Sequence, residues 1–63
     1  MNVGAKIKEK REEQGLSKEE LARRSKVSGA AIHYFESGDK VPSLNRLCAI
    51  ANVLNCSVAE LLE

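Results

Sequence analysis

The stretch from Ser17 to Glu36 constrains the fold more than any other part of the chain, because it reads as two short helices joined by a tight turn. Ser17 is followed three residues later by Glu20, and this spacing predicts a capping box that starts the first of these helices. In that helix Leu21 and Ala22 form the inward face. Since alanine is small, the second helix can cross closely at this point.

The second helix of the pair is predicted to begin after Ser28, which can cap it. Ile32 and Phe35 are three residues apart, so they share one buried face. The other sides of the helix carry Gly29, Ala30, His33 and Tyr34. The pattern therefore predicts a helix that is buried on one face and exposed on the rest.

Further helices are predicted on both sides of the pair. The first spans residues 3–14 and ends at Gly15, which supplies a left-handed residue. A fourth follows Pro42-Ser43, because proline disfavours helix before it and serine caps what comes after. Its buried face is predicted to consist of Leu44, Leu47, Ile50, Ala51 and Leu54.

A fifth helix is predicted close to the C-terminal end of the sequence. Asn55 can adopt the left-handed conformation that ends the fourth helix. Ser57 and Glu60 repeat the capping-box spacing, and the helix they start carries Leu61 and Leu62.

The order and spacing of these residues resemble the helix-turn-helix domain of the phage-repressor and Cro type, also called the XRE family. The matching set is Leu16-Ser17-x-Glu19-x-Leu21-Ala22, Val27-Ser28, Ile32, Glu36-x-Gly38 and Pro42-Ser43-Leu44. The resemblance implies an all-α, compact five-helix, lambda-repressor-like DNA-binding domain, in which helices 2 and 3 form the helix-turn-helix and helix 3 enters the major groove. The sequence departs from the family at Lys26, where a glycine is usual.

The resemblance also implies which residues face DNA bases: Ser28, Gly29, Ala30 and Tyr34. Gly29 and Ala30 have no hydrogen-bonding side chain, so the bidentate contacts that usually distinguish base pairs are absent. Ala30 can touch a thymine methyl group. We therefore expect specificity to depend on DNA shape and on few base contacts.

Phosphate contacts are predicted for Lys18, His33, Lys40 and Ser43. Lys18 ranks first, because it combines a cation with the positive end of a helix dipole. Arg23 and Arg24 rank lower, since Glu19 and Glu20 lie four residues before them and can pair with them.

An ion pair between Arg11 and Glu36 is also implied by the resemblance. In the family, an arginine at this place in the first helix pairs with the glutamate that closes the recognition helix. The alternative is two separate, solvated surface charges. We predict a bidentate ion pair in a partly buried site.

Length and composition bound the rest of the prediction. The 63 residues, 43% of them apolar, predict a single domain over residues 1–63. Net charge is only +1, yet residues 1–26 hold eight Lys or Arg against five acidic residues. No apolar run has the length of a signal peptide core or a membrane span, so a cytoplasmic protein is predicted.

The sequence offers no set of residues for catalysis, a metal or a cofactor, and no small-molecule substrate is evident. It pairs no nucleophile with a base, and His33 is the sole histidine. Cys48 and Cys56 are interpreted as small core hydrophobes, because a reducing compartment disfavours a disulfide and too few further ligands accompany them for zinc.

Two functions remain open: a transcriptional regulator, most simply a repressor, that binds double-stranded DNA, or a protein-interaction module or antitoxin-type partner-binding protein on the same scaffold. The first is preferred, because phosphate binding explains Lys18 and Lys40. Few base contacts also predict a homodimer on a two-fold DNA site. Its interface is predicted at Cys56, Val58, Ala59 and Leu62, which could alternatively form the bottom of the core.

Overall fold

Five α-helices make up the fold in a computed structural model that describes residues 2–63. They are α1 (Val3–Glu13), α2 (Lys18–Ser25), α3 (Gly29–Ser37), α4 (Leu44–Val53) and α5 (Val58–Leu62). The described residues contain no β-strand, so the predicted all-α class is confirmed. α3 packs against α1 and α2, while α4 packs against α2 and α5.

A polar side chain caps the start of every helix. Asn2, Ser17, Ser28, Ser43 and Ser57 each accept a hydrogen bond from the backbone N–H three residues later. These bonds satisfy donors that would otherwise have no partner in the first turn. Each of the four segments between helices therefore ends at a serine that was predicted to cap the next helix.

The two predicted capping boxes differ. At Ser57 the bonds are reciprocal, because the Glu60 carboxylate also accepts from the Ser57 backbone N–H at 3.3 Å. At Ser17 only the serine half is present. The Glu20 carboxylate instead accepts hydrogen bonds from Arg23 and Arg24, and two guanidinium groups compete effectively for one carboxylate.

The core lies where the five helices meet. It consists of Ile7, Leu21, Ala22, Val27, Ile32, Phe35, Leu47, Ile50, Ala51, Leu54 and Leu61. Leu44 was predicted in this set, but 69% of it is exposed. A helical stripe gives only the direction in which a residue points, and no neighbouring element covers Leu44 at the first residue of α4.

The predicted core role of the cysteines is wrong for Cys48, which is exposed. Cys48 directly follows the buried Leu47, and a step of one residue turns it away from the buried face of α4. Cys56 is half-buried and packs against the core.

Gln14 follows the last residue of α1 and is exposed. Its side-chain amide donates a hydrogen bond to the carbonyl of Leu54, which follows the last residue of α4.

Four residues outside the regular helices have the left-handed backbone. Gly15 and Gly38 do so without strain, and Asn55 has a φ of 56°. Lys26, in the turn between α2 and α3, has a φ of 60°, and its backbone N–H donates to the Ala22 carbonyl. This conformation costs a non-glycine residue about 1–2 kcal/mol.

Gly4 brings α1 against the end of α3. A Cβ atom at Gly4 would lie 2.0 Å from the carbonyl oxygen of Phe35 and 3.1 Å from that of Glu36. Only hydrogen at this position permits such close approach of the two backbones. Sequence reasoning did not identify this role, because the partner carbonyls lie more than thirty residues away along the chain.

Candidate nucleic-acid interface

α3 presents one face to the core and the others to solvent. Ile32 and Phe35 are buried, while the four predicted base-reading residues, Ser28, Gly29, Ala30 and Tyr34, are exposed. At Gly29 an added Cβ would have no heavy atom within 4 Å. The start of α3 is therefore a bare surface that another molecule can approach to within contact of the backbone.

Tyr34 is the largest side chain on the exposed side of α3, and two cationic or polar groups surround it. The Lys40 ammonium lies 5.1 Å from the centre of the Tyr34 ring, within the range of a cation–π contact. The His33 ring meets it edge-on at 5.6 Å. The Lys40 backbone N–H also donates to the Tyr34 carbonyl, so the loop after α3 folds back beside this helix.

A groove of about 330 Å³ lies between α3 and the start of α4. Its α3 side includes Ser28, Ala30 and Tyr34, and its other side includes Lys40, Val41, Ser43 and Arg46. Val41 is 81% exposed. The predicted phosphate residues Lys40 and Ser43 therefore share a wall with Arg46, which sequence reasoning missed although it lies in the first turn of α4.

A second cleft, of about 180 Å³, lies on another side of α3. Lys8 of α1 and Lys18 of α2 line it together with His33, Glu36 and Ser37 of α3. Of the predicted phosphate residues, Lys18 and His33 thus line this cleft, whereas Lys40 and Ser43 line the groove beside α4. Sequence reasoning missed Lys8, whose only sequence signal was its place among the N-terminal cations.

Arg11 and Glu36 form a buried, bidentate ion pair between α1 and the end of α3. Nε of Arg11 donates to Oε2 of Glu36 at 2.7 Å, and Nη2 donates to Oε1 at 3.1 Å. Nη1 donates to the Leu16 carbonyl at 2.7 Å. The hydrogen bonds to Glu36 raise the pKa of Arg11, which stays charged.

Most other cations of the first two helices are held by nearby acids. Arg23 and Arg24 both contact Glu20, whose pKa is lowered by the hydrogen bonds from Arg23 and then Arg24. The predicted partner of Arg23 was Glu19, but Glu20 lies three residues before Arg23 and serves both arginines. Lys10 pairs with Glu60 of α5 at 3.4 Å.

The four residues predicted to form a dimer interface surround the start of α5. Cys56 and Val58 are half-buried and pack against the core. Ala59 is exposed, and Leu62 is 41% exposed. Two of the four side chains therefore contribute to the core, as the alternative prediction had it, and the other two face solvent.

No group of three or more His, Cys, Asp or Glu side chains in the described residues is arranged to hold a metal ion. None of the helices in residues 2–63 has the length and apolar character needed to cross a bilayer.

Similarity to known proteins covers nearly the whole chain. The family model HTH_3, described as Helix-turn-helix, matches residues 7–61. No curated protein sequence is significantly similar to the chain. The solved structure of SinR, a regulator of biofilm formation in complex with DNA, is 34% identical with a TM-score of 0.93, over 97% of this chain and 98% of that one.

Two further structures show the same likeness. The clp gene regulator ClgR from Corynebacterium glutamicum is 33% identical with a TM-score of 0.92, and the match covers 97% of this chain and 65% of ClgR. The P22 c2 repressor in complex with a synthetic operator is 26% identical with a TM-score of 0.91, over 97% and 92% of the two chains. The chain therefore belongs to the helix-turn-helix family of the phage-repressor and Cro (XRE) type.

Proposed function

We propose that residues 1–63 act as one DNA-binding domain of a cytoplasmic transcriptional repressor, in which α3 enters the major groove of duplex DNA. The observation that supports this proposal is that cationic side chains lie beside the exposed side of α3. One side is bordered by Lys8 and Lys18, and another by Lys40 and Arg46. Such an arrangement suits a helix that lies in a groove between two phosphate backbones.

The similar structures support the same proposal. SinR and the P22 c2 repressor were each solved in complex with DNA. This chain matches both along nearly its whole length, so a comparable placement of α3 on DNA is the simplest use of the shared fold. Fold alone does not fix function, and the cations beside α3 add an argument from this chain's own chemistry.

Base reading is proposed for Ser28, Gly29, Ala30 and Tyr34. Ser28 has a hydroxyl group, but it already accepts from the Ala31 backbone N–H as the cap of α3. Tyr34 has a phenolic hydroxyl, and Ala30 offers a methyl group for contact with thymine. Sequence preference should therefore be modest at each base pair. A selection of bound sites from random duplexes tests the proposal directly, and failure to enrich any site would contradict it.

Replacing Lys18 by alanine should weaken binding to all duplexes by a similar factor. Because one phosphate neutralisation is lost, the magnitude of the slope of log affinity against log salt should fall by about one unit. Fluorescence anisotropy at several salt concentrations measures this slope. Lys10→Ala is the matched control, since Lys10 is paired with Glu60 on α5, and its slope should equal that of the parent. An unchanged slope for Lys18→Ala would remove it from the phosphate contacts.

Two copies are proposed to bind one two-fold site, because one recognition helix with few polar side chains reads too few base pairs for a regulator. Their α3 helices would enter successive major grooves about 34 Å apart. The interface is proposed at the start of α5, where Ala59 and Leu62 leave apolar surface exposed beside Cys56 and Val58.

Replacing Ala59 by glutamate should abolish cooperative binding to a duplex with two half-sites. The added charge would face its own copy across the two-fold axis, and like charges there repel. Binding to a one-half-site duplex and the circular dichroism spectrum should match those of the parent. Ala59→Ser, which adds no charge, should keep cooperativity. Equal loss of both binding modes in Ala59→Glu would place the interface elsewhere.

A further inference from the structure

Hydrogen bonding to bases depends most on Tyr34 among the four proposed base-reading residues. Gly29 and Ala30 have no hydrogen-bonding side chain. The Ser28 hydroxyl already accepts from the Ala31 backbone N–H. Because Tyr34 is exposed, core packing alone does not fix its ring. A mobile side chain loses rotamer freedom when it binds, and this loss weakens binding unless the side chain is already held in place.

Two neighbouring side chains contact the Tyr34 ring. The Lys40 ammonium lies 5.1 Å from the ring centre, where the negative face of the ring attracts a cation. The His33 and Tyr34 rings lie 5.6 Å apart at an angle of 62°, which is an edge-to-face arrangement. The two contacts together restrict the orientation of the Tyr34 ring.

The backbone fixes Lys40 beside Tyr34. Gly38 has a left-handed φ of 87° at the end of α3, and this conformation turns the chain back along the helix. The Tyr34 carbonyl accepts from the Lys40 backbone N–H at 3.2 Å and from the Ser37 hydroxyl at 3.1 Å. Because these bonds anchor the backbone of Lys40, its ammonium needs little further ordering to reach the ring.

The Lys40 ammonium is also a proposed phosphate contact. It has three N–H donors and no acceptor, so one side can face the Tyr34 ring while other donors bind a phosphate oxygen. Lys40 and Tyr34 line the same groove of about 330 Å³, and Arg46 adds a second cation to it. A phosphate bound in this groove would therefore lie beside the side chain that contacts the base.

We propose that Lys40 is a positioning residue for Tyr34, so that recognition of one base pair depends on the cation that binds the neighbouring phosphate. This inference rests on the proposed function, because it assigns a role in specificity within the same DNA-binding surface. A cation that only binds phosphate carries no sequence information and weakens binding to every duplex when it is removed. Removal of a lysine that also orients Tyr34 has a second effect, which is a loss of preference at one base pair.

Binding to matched duplexes tests the inference. The probes are the duplex enriched from random sequences and its single-base-pair variants, with affinities measured by fluorescence anisotropy. Tyr34→Phe, which removes only the hydroxyl group, should lower the preference at one base pair and so identify the pair that Tyr34 contacts. Lys40→Met should lower the preference at the same base pair about 2–5-fold, the value of an exposed cation–π contact, and should also weaken binding to all the duplexes. Lys40→Arg should keep the preference, since a guanidinium also stacks on an aromatic ring.

Lys18→Met is the matched control, because Lys18 is a proposed phosphate contact in the other cleft beside α3. It should weaken binding to every duplex by a similar factor. The double variant Tyr34→Phe with Lys40→Met should lose no more preference than Tyr34→Phe alone, since no hydroxyl remains to be oriented. An undiminished preference in Lys40→Met, the same loss in Lys18→Met, or no base pair affected by Tyr34→Phe would overturn the inference and leave DNA binding intact. Failure to enrich any duplex would contradict the proposed function and this inference together.

The contact between Lys40 and Tyr34 can also be measured without DNA. In NMR spectra of the free protein, the ring current of Tyr34 should shift the Lys40 Cε protons upfield. Tyr34→Leu should remove this shift and leave the Lys18 Cε protons unchanged. Equal Lys40 shifts in the parent and in Tyr34→Leu would overturn the inference whether or not the chain binds DNA.

Discussion

Replacing Arg11 by alanine should lower the free energy of unfolding by about 3–5 kcal/mol, the range found when one partner of a buried pair is removed. The side chain of Glu36 is only 3% exposed. Without Arg11 its carboxylate would stay buried and unpaired, and the Leu16 carbonyl would lose a donor. The loss should therefore far exceed that of an exposed pair.

Urea denaturation monitored by circular dichroism measures this loss. Arg23→Ala is the matched control, because it removes an arginine from an exposed pair with Glu20 and should cost about 1 kcal/mol or less. A double variant, Arg11→Ala with Glu36→Gln, should regain part of the stability by removing the unpaired charge. Equal effects of Arg11→Ala and Arg23→Ala would show that the α1–α3 pair contributes no more than a surface pair.

Replacing Gly4 by alanine should destabilise the protein by about 3 kcal/mol or more, the upper end of what overpacking costs. The added methyl group would meet the Phe35 carbonyl oxygen at 2.0 Å, and a backbone atom inside a helix cannot rotate away. α1 and the end of α3 would have to separate. In an exposed helix the same substitution would instead stabilise, by up to about 1 kcal/mol.

Gly29 offers the control within the same chain. It is also a helical glycine, but an alanine Cβ there would have no heavy atom within 4 Å. Gly29→Ala should therefore leave stability unchanged or raise it slightly, as thermal melts of the two variants would show. A Gly4→Ala variant as stable as the parent would mean that α1 shifts without loss.

The helix positions could be predicted because short-range chemistry determines them. Ser28 and Ser43 cap helices through bonds to residues three positions ahead, and the left-handed Asn55 ends α4 by its own backbone preference. The long-range features could not be predicted in this way. The contact of Gly4 with α3 and the lack of cover over Leu44 depend on how helices distant in sequence pack together.

The features of the candidate site fall into the same two groups: short-range spacing predicted some of them, and long-range packing determines the others. The spacing of Ile32 and Phe35 was enough to predict that the other faces of α3 are exposed. Arg11 and Glu36 lie 25 residues apart, and only the family resemblance placed them together. Lys8 and Arg46 were missed because each is an ordinary surface cation in sequence, and their position beside α3 follows from the packing of α1 and α4 around it.

The lysine in the turn between α2 and α3 bears on the heat tolerance of the protein. Lys26 holds a backbone conformation that glycine adopts freely, a difference of about 1 kcal/mol after the greater freedom of glycine in the unfolded chain is considered. In so small a protein that energy corresponds to ~4–8 °C of melting temperature. The melting temperature is therefore lower than it would be with glycine at this position. The turn carries an exposed positive charge that glycine would not provide.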